Sequence, residues 1–358
     1  MERGTYVEPY RLQKKSVFFK GDRTHHVITF TPSSAKAKDT LYIEVPKPKD
    51  LLIVPGTLLL SFDMDIVLDP TEPGAEVNTY PVNNLAANII SRYTVKIGSN
   101  IIYDLDHAHL YHTYKDLWET KALRKNSAFK GIQTNQLSKM RADVNSTISA
   151  AGDVTSVRDV YGKRYILPLD FELIESHQPV SPKQDISFEL TINTKEYVLK
   201  YKKADTADLT MKNICLEYDS IRDDILSKEI DRALDVGVPY LFDHVQHYQC
   251  QEVKKSDTLV NIEVNGLDRK SMKGILVLFQ DEFTAGERDS EKFANPKIKT
   301  IKFSIDSLPN KLYSCGYKTE NQWSEISKHF VREEYKRSHD MNIDVFHYYT
   351  DKFALWAD

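Results

Sequence analysis

The stretch Leu58-Leu59-Leu60-Ser61-Phe62-Asp63-Met64-Asp65-Ile66-Val67-Leu68 sets the reading of this chain. Every second residue is apolar (Leu58, Leu60, Phe62, Met64, Ile66, Leu68), and Ser61, Asp63 and Asp65 between them are polar. Successive side chains of an extended chain point to opposite faces, so this pattern describes a long strand with one apolar and one wet face. A helix would instead repeat its apolar residues every three or four positions. Asp69-Pro70 and Pro73-Gly74 end the strand.

The same signature recurs on both sides. His26 to Phe30 reads as a short strand, and Leu41, Ile43 and Val45 alternate before Pro46. Tyr93, Val95 and Ile97 run into Gly98-Ser99-Asn100 and on to Ile101–Tyr103, a hairpin with a short glycine-containing turn. Tyr165 to Ile174 is a further strand, which Pro168 places at an edge or a bulge. Ile186, Phe188, Leu190 and Ile192 alternate with Ser187, Glu189 and Thr191, and Tyr197, Leu199 and Tyr201 follow. Between Asp104 and Ser156 the alternation lapses. Leu105 to Leu123 fits a helix, and the polar run Lys125 to Val157 reads as a surface loop inserted between strands.

Lys202 to Asp208 (KKADTAD) is polar and charged, as a linker would be. Beyond it, Leu209 to Tyr218 is apolar on both faces, the mark of a central strand, and is expected to open a second set of strands. A helix fits Ile221 to Leu234, with Ser220 as its cap and Gly237 at its end. Strands fit Val245 to Val253, Leu259 to Val264, Gly274 to Phe279 and Ile298 to Ile305, with a turn at Asn265-Gly266. Thr319 to Gln322 has capping-box spacing ahead of a helix reaching about Tyr335, with Trp323, Ile326 and Phe330 on one face. Phe353 to Trp356 is a last strand. Neither half alternates strand with helix, so the fold class is mainly β: two antiparallel sandwiches in tandem, with a few short helices in inter-strand loops. The expected division is an N-terminal arm over 1–22, a first sandwich over 23–204 with its inserted loop at about 125–157, and a second over 208–358. A chain of 358 residues suits two domains at roughly 150 residues each.

Composition limits the functional classes. Lys and Arg number 48 against 52 Asp and Glu, a net charge of -4 that lacks the basic excess of a dedicated nucleic-acid binder. The basic group Arg11, Lys14, Lys15, Lys20 and Arg23 reads as a solvated arm. Cys215, Cys250 and Cys315 are widely spaced and odd in number, which fits neither a disulfide framework nor a zinc motif and implies free thiols in a reducing compartment. Met1 to Tyr10 carries no apolar stretch suited to a signal peptide, and no run approaches the roughly 18 apolar residues that span a bilayer, so a soluble protein made inside the cell is expected.

No phosphate-cradling glycine loop, nucleophile elbow or H-E-x-x-H motif occurs. The densest set of metal-ligating types is Asp104 to His112, where Asp106, His109 and His112 would share a helix face. With no partner fixed elsewhere in the sequence, this run reads as a polar helix start. His244 and His247, beside Asp243 and Cys250, read as strand histidines, because His247 and Cys250 would point to opposite faces. Asp223-Asp224 and Glu333-Glu334 read as solvated helix faces, and Trp118, Trp323 and Trp356 as core or interface anchors. No catalytic, cofactor-binding or metal-binding residue is therefore assigned, and no enzyme is expected.

Pro81-Val82-Asn83-Asn84-Leu85-Ala86-Ala87-Asn88-Ile89-Ile90-Ser91, running into Tyr93 to Ile102, resembles the double jelly-roll major capsid proteins of the Polinton/adintovirus group of eukaryotic DNA viruses and integrated elements. In those proteins a P-V-N-N-hydrophobic stretch precedes a strand–glycine turn–strand hairpin. Tyr165 to Leu173 followed by Ile186 to Thr191 resembles the strand pair that ends their first roll. Leu209 to Asp219 resembles the strand crossing into the second, and Val277 to Phe283, Asn295-Pro296-Lys297 and Ile301 to Ile305 a stretch within it.

The resemblance implies two jelly rolls side by side, and trimers forming pseudo-hexameric capsomers of an icosahedral shell. It also implies penton and minor capsid partners, DNA enclosed without tight binding, no membrane insertion, and a place in the virion after assembly in the host cell. Family members continue past Phe353–Asp358, so the second roll is expected to lack one or more terminal strands. The alternative is a β-sandwich module that binds carbohydrate or a protein partner through the Lys125–Val157 loop. A third reading is an enzyme using the Asp104–His112 cluster.

Overall fold

A computed structural model describes residues 23–30, 33–45, 51–54, 56–69, 80–126, 128–131, 146–148, 154–157, 164–169, 185–200, 206–236, 244–248, 252–254, 256–264, 272–281, 289–302, 304–305, 308–309, 317–331 and 341–357. The arm over 1–22, the Asn265-Gly266 turn, Cys250, Cys315 and Glu333-Glu334 lie outside the described residues. The chain is mainly β and its strands pair antiparallel, with a few helices between them.

Eight strands build the N-terminal unit. In chain order they are β1 (Arg23–Thr29), β2 (Thr40–Val45), β3 (Leu59–Asp69), β4 (Ile90–Ile97), β5 (Asn100–Asp106), β6 (Arg164–Pro168), β7 (Ile186–Ile192) and β8 (Thr206–Arg222). One sheet runs β1-β8-β3-β6 and the other β2-β7-β4-β5. The first strand therefore lies beside the last, and early and late strands interleave in both sheets. That is the winding of an eight-stranded jelly roll. The short pieces Ser34–Lys36 and Leu51–Ile53 extend the first sheet by pairing with β8. Ile43, Phe62, Val95, Phe188, Leu190 and Leu216 meet in one core and are fully buried.

β3 has its apolar face where alternation put it: Leu58, Leu60, Phe62 and Met64 are buried. Its polar face is wet in part: Asp63 and Asp65 stay partly exposed, whereas Ser61 is buried between side chains of the two neighbouring strands. Ser61 bonds Glu217 of β8 and accepts from Arg164 of β6 at 2.9 Å. The hairpin joins β4 to β5 as expected, with Gly98 in the left-handed region (φ 57°) that favours glycine.

The strand expected to open the second half pairs instead within the first. Leu209 to Tyr218 does not open a second sandwich. It pairs along β3 and β1 and closes the first roll as a central strand, and Thr206 to Asp208 of the presumed linker already belong to it. The cause of its apolar appearance on both faces is also visible. Leu209 and Met211 are buried before Asn213, and Ile214, Leu216 and Tyr218 after it, so the apolar phase changes from odd to even positions. Asn213 takes a left-handed φ of 50°, and the register with β3 shifts between Lys212 and Cys215. A bulge of this kind inserts one residue and restores the same inward face beyond it. Nor do the described residues of Tyr165–Leu173 pair with Ile186–Thr191. β6 pairs with β3 in one sheet, and β7 with β2 and β4 in the other.

Smaller differences have local causes. The helix expected to start after Ser220 begins later, at Asp224–Val236, because β8 continues to Arg222 and the carboxylate of Asp223 accepts from the N–H groups of Ile225 and Leu226. In the inserted loop, Ser146–Ile148 and Val154–Val157 pair as a hairpin. The described residues of Val245–Val253 and Leu259–Val264 form no strand. The sequence predicts a strand over Tyr197 to Tyr201, yet Lys195–Val198 is a helical turn and, among the described residues, the extended ones are Leu199–Lys200.

In the C-terminal half, β9 (Ile275–Leu278) pairs with β10 (Ala354–Ala357), so the strand at Phe353–Trp356 has a neighbour. Two further pairs join Thr300–Ile301 with Tyr317–Lys318 and Ser304–Ile305 with Leu308–Pro309. The helix at Thr319–Phe330 is present, and Ile326, Trp323 and Phe330 pack on the local core as their spacing indicated. Gln322 does not close a capping box; it is buried and donates to the Ile298 carbonyl at 3.3 Å. Among the described residues no helix is long and apolar enough to cross a membrane.

Candidate functional site

Two places gather polar chemistry from distant parts of the chain, and both adjoin one helix, Ala108–Leu117. The first is the junction between the two halves. The helix starts over the jelly-roll core with Ala108 and ends in the second core, where Tyr114, Leu117 and Trp118 are buried with Phe293, Tyr348 and Phe353. Trp118 stacks on Trp323 with ring centres 5.2 Å apart and on Phe330 at 5.6 Å. The tryptophans are core anchors, as read from the sequence.

The P-V-N-N stretch organises this junction. Asn84 takes a left-handed φ of 53°, which asparagine tolerates, and turns the chain into the short helix Leu85–Asn88. Its amide donates to Asp116. The backbone N–H of Asn83 donates to Glu291 of the other half at 2.8 Å. Buried Asn88 donates to the carbonyls of Asn83 and Asn84 and accepts from the Thr113 hydroxyl at 2.8 Å. Lys200 reaches into the same place, 3.2 Å from Asp289 and bonded to Glu291. Burial pushes the Lys200 ammonium below its ordinary value, against the pull of Asp289. The Asn84 and Asn88 side chains thus reach partners on the helix Ala108–Leu117, and Asn88 both donates and accepts, as an amide can.

The second place is a histidine cluster. The sequence grouped Asp106, His109 and His112 on one helical face, and the structure separates them. Asp106 ends β5, and His107 takes a left-handed φ of 51° to turn the chain, so the helix begins only at Ala108. His109 is buried with its ring against Tyr197 at 4.4 Å. His107 instead faces the segment 244–248. His107 and His247 stack with ring centres 4.4 Å apart, and Asp106 Oδ2 lies 3.0 Å from His107 Nδ1. That nitrogen is buried and lacks hydrogen-bond geometry to any partner. The segment is held by its other residues. His244 Nε2 sits 3.4 Å from the backbone N and O of Asp104, its ring lies against Tyr103, and Val245 packs on the jelly-roll core. Burial, and next the neighbouring His107, push the His247 imidazole below its ordinary value. Sequence reading named both histidine groups but had no signal that would join them across 140 residues.

No protein-family model and no curated protein matches the chain. Among solved structures it is similar to the mavirus major capsid protein, with a TM-score of 0.49 and 9% identity over 93% of this chain and 77% of that one. A chain of the Sputnik virophage gives a TM-score of 0.38 and 10% identity over 56% and 48%, so the chain spans about half the length of that protein. The Faustovirus major capsid protein gives 0.34 and 6% over 61% and 57%. With TM-scores below 0.5, these likenesses assign neither fold nor function. The jelly-roll winding of the N-terminal unit rests on its own strand order.

Proposed function

We propose that this chain is a non-catalytic shell subunit: a double jelly-roll major capsid protein whose trimers form pseudo-hexameric capsomers of an icosahedral virion. The observation that carries the reading is the eight-stranded winding β1-β8-β3-β6 against β2-β7-β4-β5, placed beside the P-V-N-N and hairpin resemblance to the Polinton/adintovirus capsid group. Two features suit the role. The first roll closes on β8, so the division of the chain falls after Arg222 rather than at 204–208. The helix Ala108–Leu117 and the Asn83–Glu291 contact fix the C-terminal half against the first, as a rigid tile requires. In this reading the C-terminal half is the second roll. The partners are copies of the chain itself, then penton and minor capsid proteins. The shell encloses DNA without binding it tightly, and assembly takes place in the host cell.

The test is the solution mass of the purified chain by light scattering, with negative-stain images of the same sample. Three chains of 41.3 kDa with hexagonal outlines are expected. A monomer that binds an immobilised glycan or protein through 125–157 would overturn the proposal in favour of a binding module.

A further inference from the structure

The structure assigns Asp106, His107 and His247 to a binding site for one transition-metal ion of the zinc class, clamping the segment 244–248 to the end of β5. The three residues each offer a ligand atom, and these atoms lie within 4.8 Å of one another. Two imidazoles and one carboxylate suit zinc, cobalt or nickel; magnesium and calcium prefer all-oxygen sets. Ligands at about 2.0–2.1 Å from a tetrahedral ion stand roughly 3.4 Å apart, so binding draws the three atoms together and turns the stacked His107 and His247 rings edge-on to the ion.

The backbone presents the ligands before any ion arrives. His107 is fixed by its left-handed turn at the head of the ten-residue helix. His247 is carried on a segment held by the His244–Asp104 and His244–Tyr103 contacts and by Val245 in the core. The buried Nδ1 of His107 lies 3.0 Å from Asp106 Oδ2 without hydrogen-bond geometry, and an ion between them would satisfy both groups. Three protein ligands leave the remaining coordination position to water. An ion here ties a segment that belongs to no sheet to the edge strand of β2-β7-β4-β5.

The experiment uses the full chain stripped of metal by chelator and dialysis, then titrated with zinc by calorimetry and with cobalt by visible absorption. One equivalent is expected, with cobalt bands of a four-coordinate nitrogen–oxygen site and an upward shift in melting temperature. His107→Ala and His247→Ala should each weaken binding at least tenfold. His347→Ala, which removes an exposed histidine 2.9 Å from Asp344, should leave binding unchanged, since a lone His–Asp pair is not a site. As a check independent of variant folding, zinc should protect His107 and His247 of the unaltered chain from acylation read by mass spectrometry. Absence of a stoichiometric site, binding retained in the two alanine variants, or equal acylation with and without zinc would overturn the assignment.

Discussion

The backbone N–H of Asn83 donates to Glu291 Oε1 at 2.8 Å across 208 positions of sequence. Glu291 is itself buried, and Lys200 ends on it, so a single carboxylate joins the edge of the jelly roll to the C-terminal half. Lys352 adds a bond from its ammonium to the Glu291 carbonyl at 2.5 Å.

Removing that carboxylate should loosen the halves from each other. In Glu291→Ala the Asn83 N–H loses its acceptor and the partly buried Lys200 is left with Asp289. Leaving such groups unpaired costs about 1–3 kcal/mol. Urea unfolding should move to lower denaturant, with the C-terminal half melting first. An unchanged, single transition would show that the contact contributes nothing.

Trp118 sits on the jelly-roll side of the sequence but packs in the other core, against Trp323 and Phe330. Trp118→Ala should cost about 3–5 kcal/mol, the usual loss for a buried aromatic. The damage should be directional: amide exchange should quicken in Ala354–Ala357 and stay slow in Thr206–Arg222. The opposite pattern would place Trp118 in the first core.

His112 gives a pH dependence. Burial, and next the charges of Lys115 and Lys130, push its imidazole down to about 4 from an ordinary 6.5. The unfolded chain takes up the proton near 6.5 and the folded chain only near 4. Stability is therefore unaffected above about 6.5 and declines as pH falls from there to about 4. The residue as a whole is not fully buried, which reduces the loss below what full burial would give. His112→Gln should flatten the stability profile between these two pH values, measured by urea midpoints; an identical slope in both proteins would refute it.

Legibility in the sequence followed the range of the forces involved. Alternation located β2, β3, β4 and β7 with their buried faces, because which side of a strand meets apolar surroundings is written in its own residues. The phase change at Asn213 was written there too, but it reads as two apolar faces until the bulge is seen. The Asn83-Asn84 pair was visible as a motif, while its bonds to Glu291 and Asp116 were not. Nothing in a run of asparagines names the acceptors they will find.

The sequence alone determined that this chain is mainly β, that its strands present one apolar face, and that Trp323, Ile326 and Phe330 share a helical side. These are properties of local period, set by backbone geometry within a few residues. Only the tertiary structure decided that Leu209–Tyr218 closes the first roll, that Trp118 belongs to the second core, and that His247 meets Asp106 and His107. Strand pairing and side-chain clustering depend on which distant surfaces fit together. An apolar face, an indole or an imidazole carries no address for its partner, so those choices fall to the packing of the whole chain.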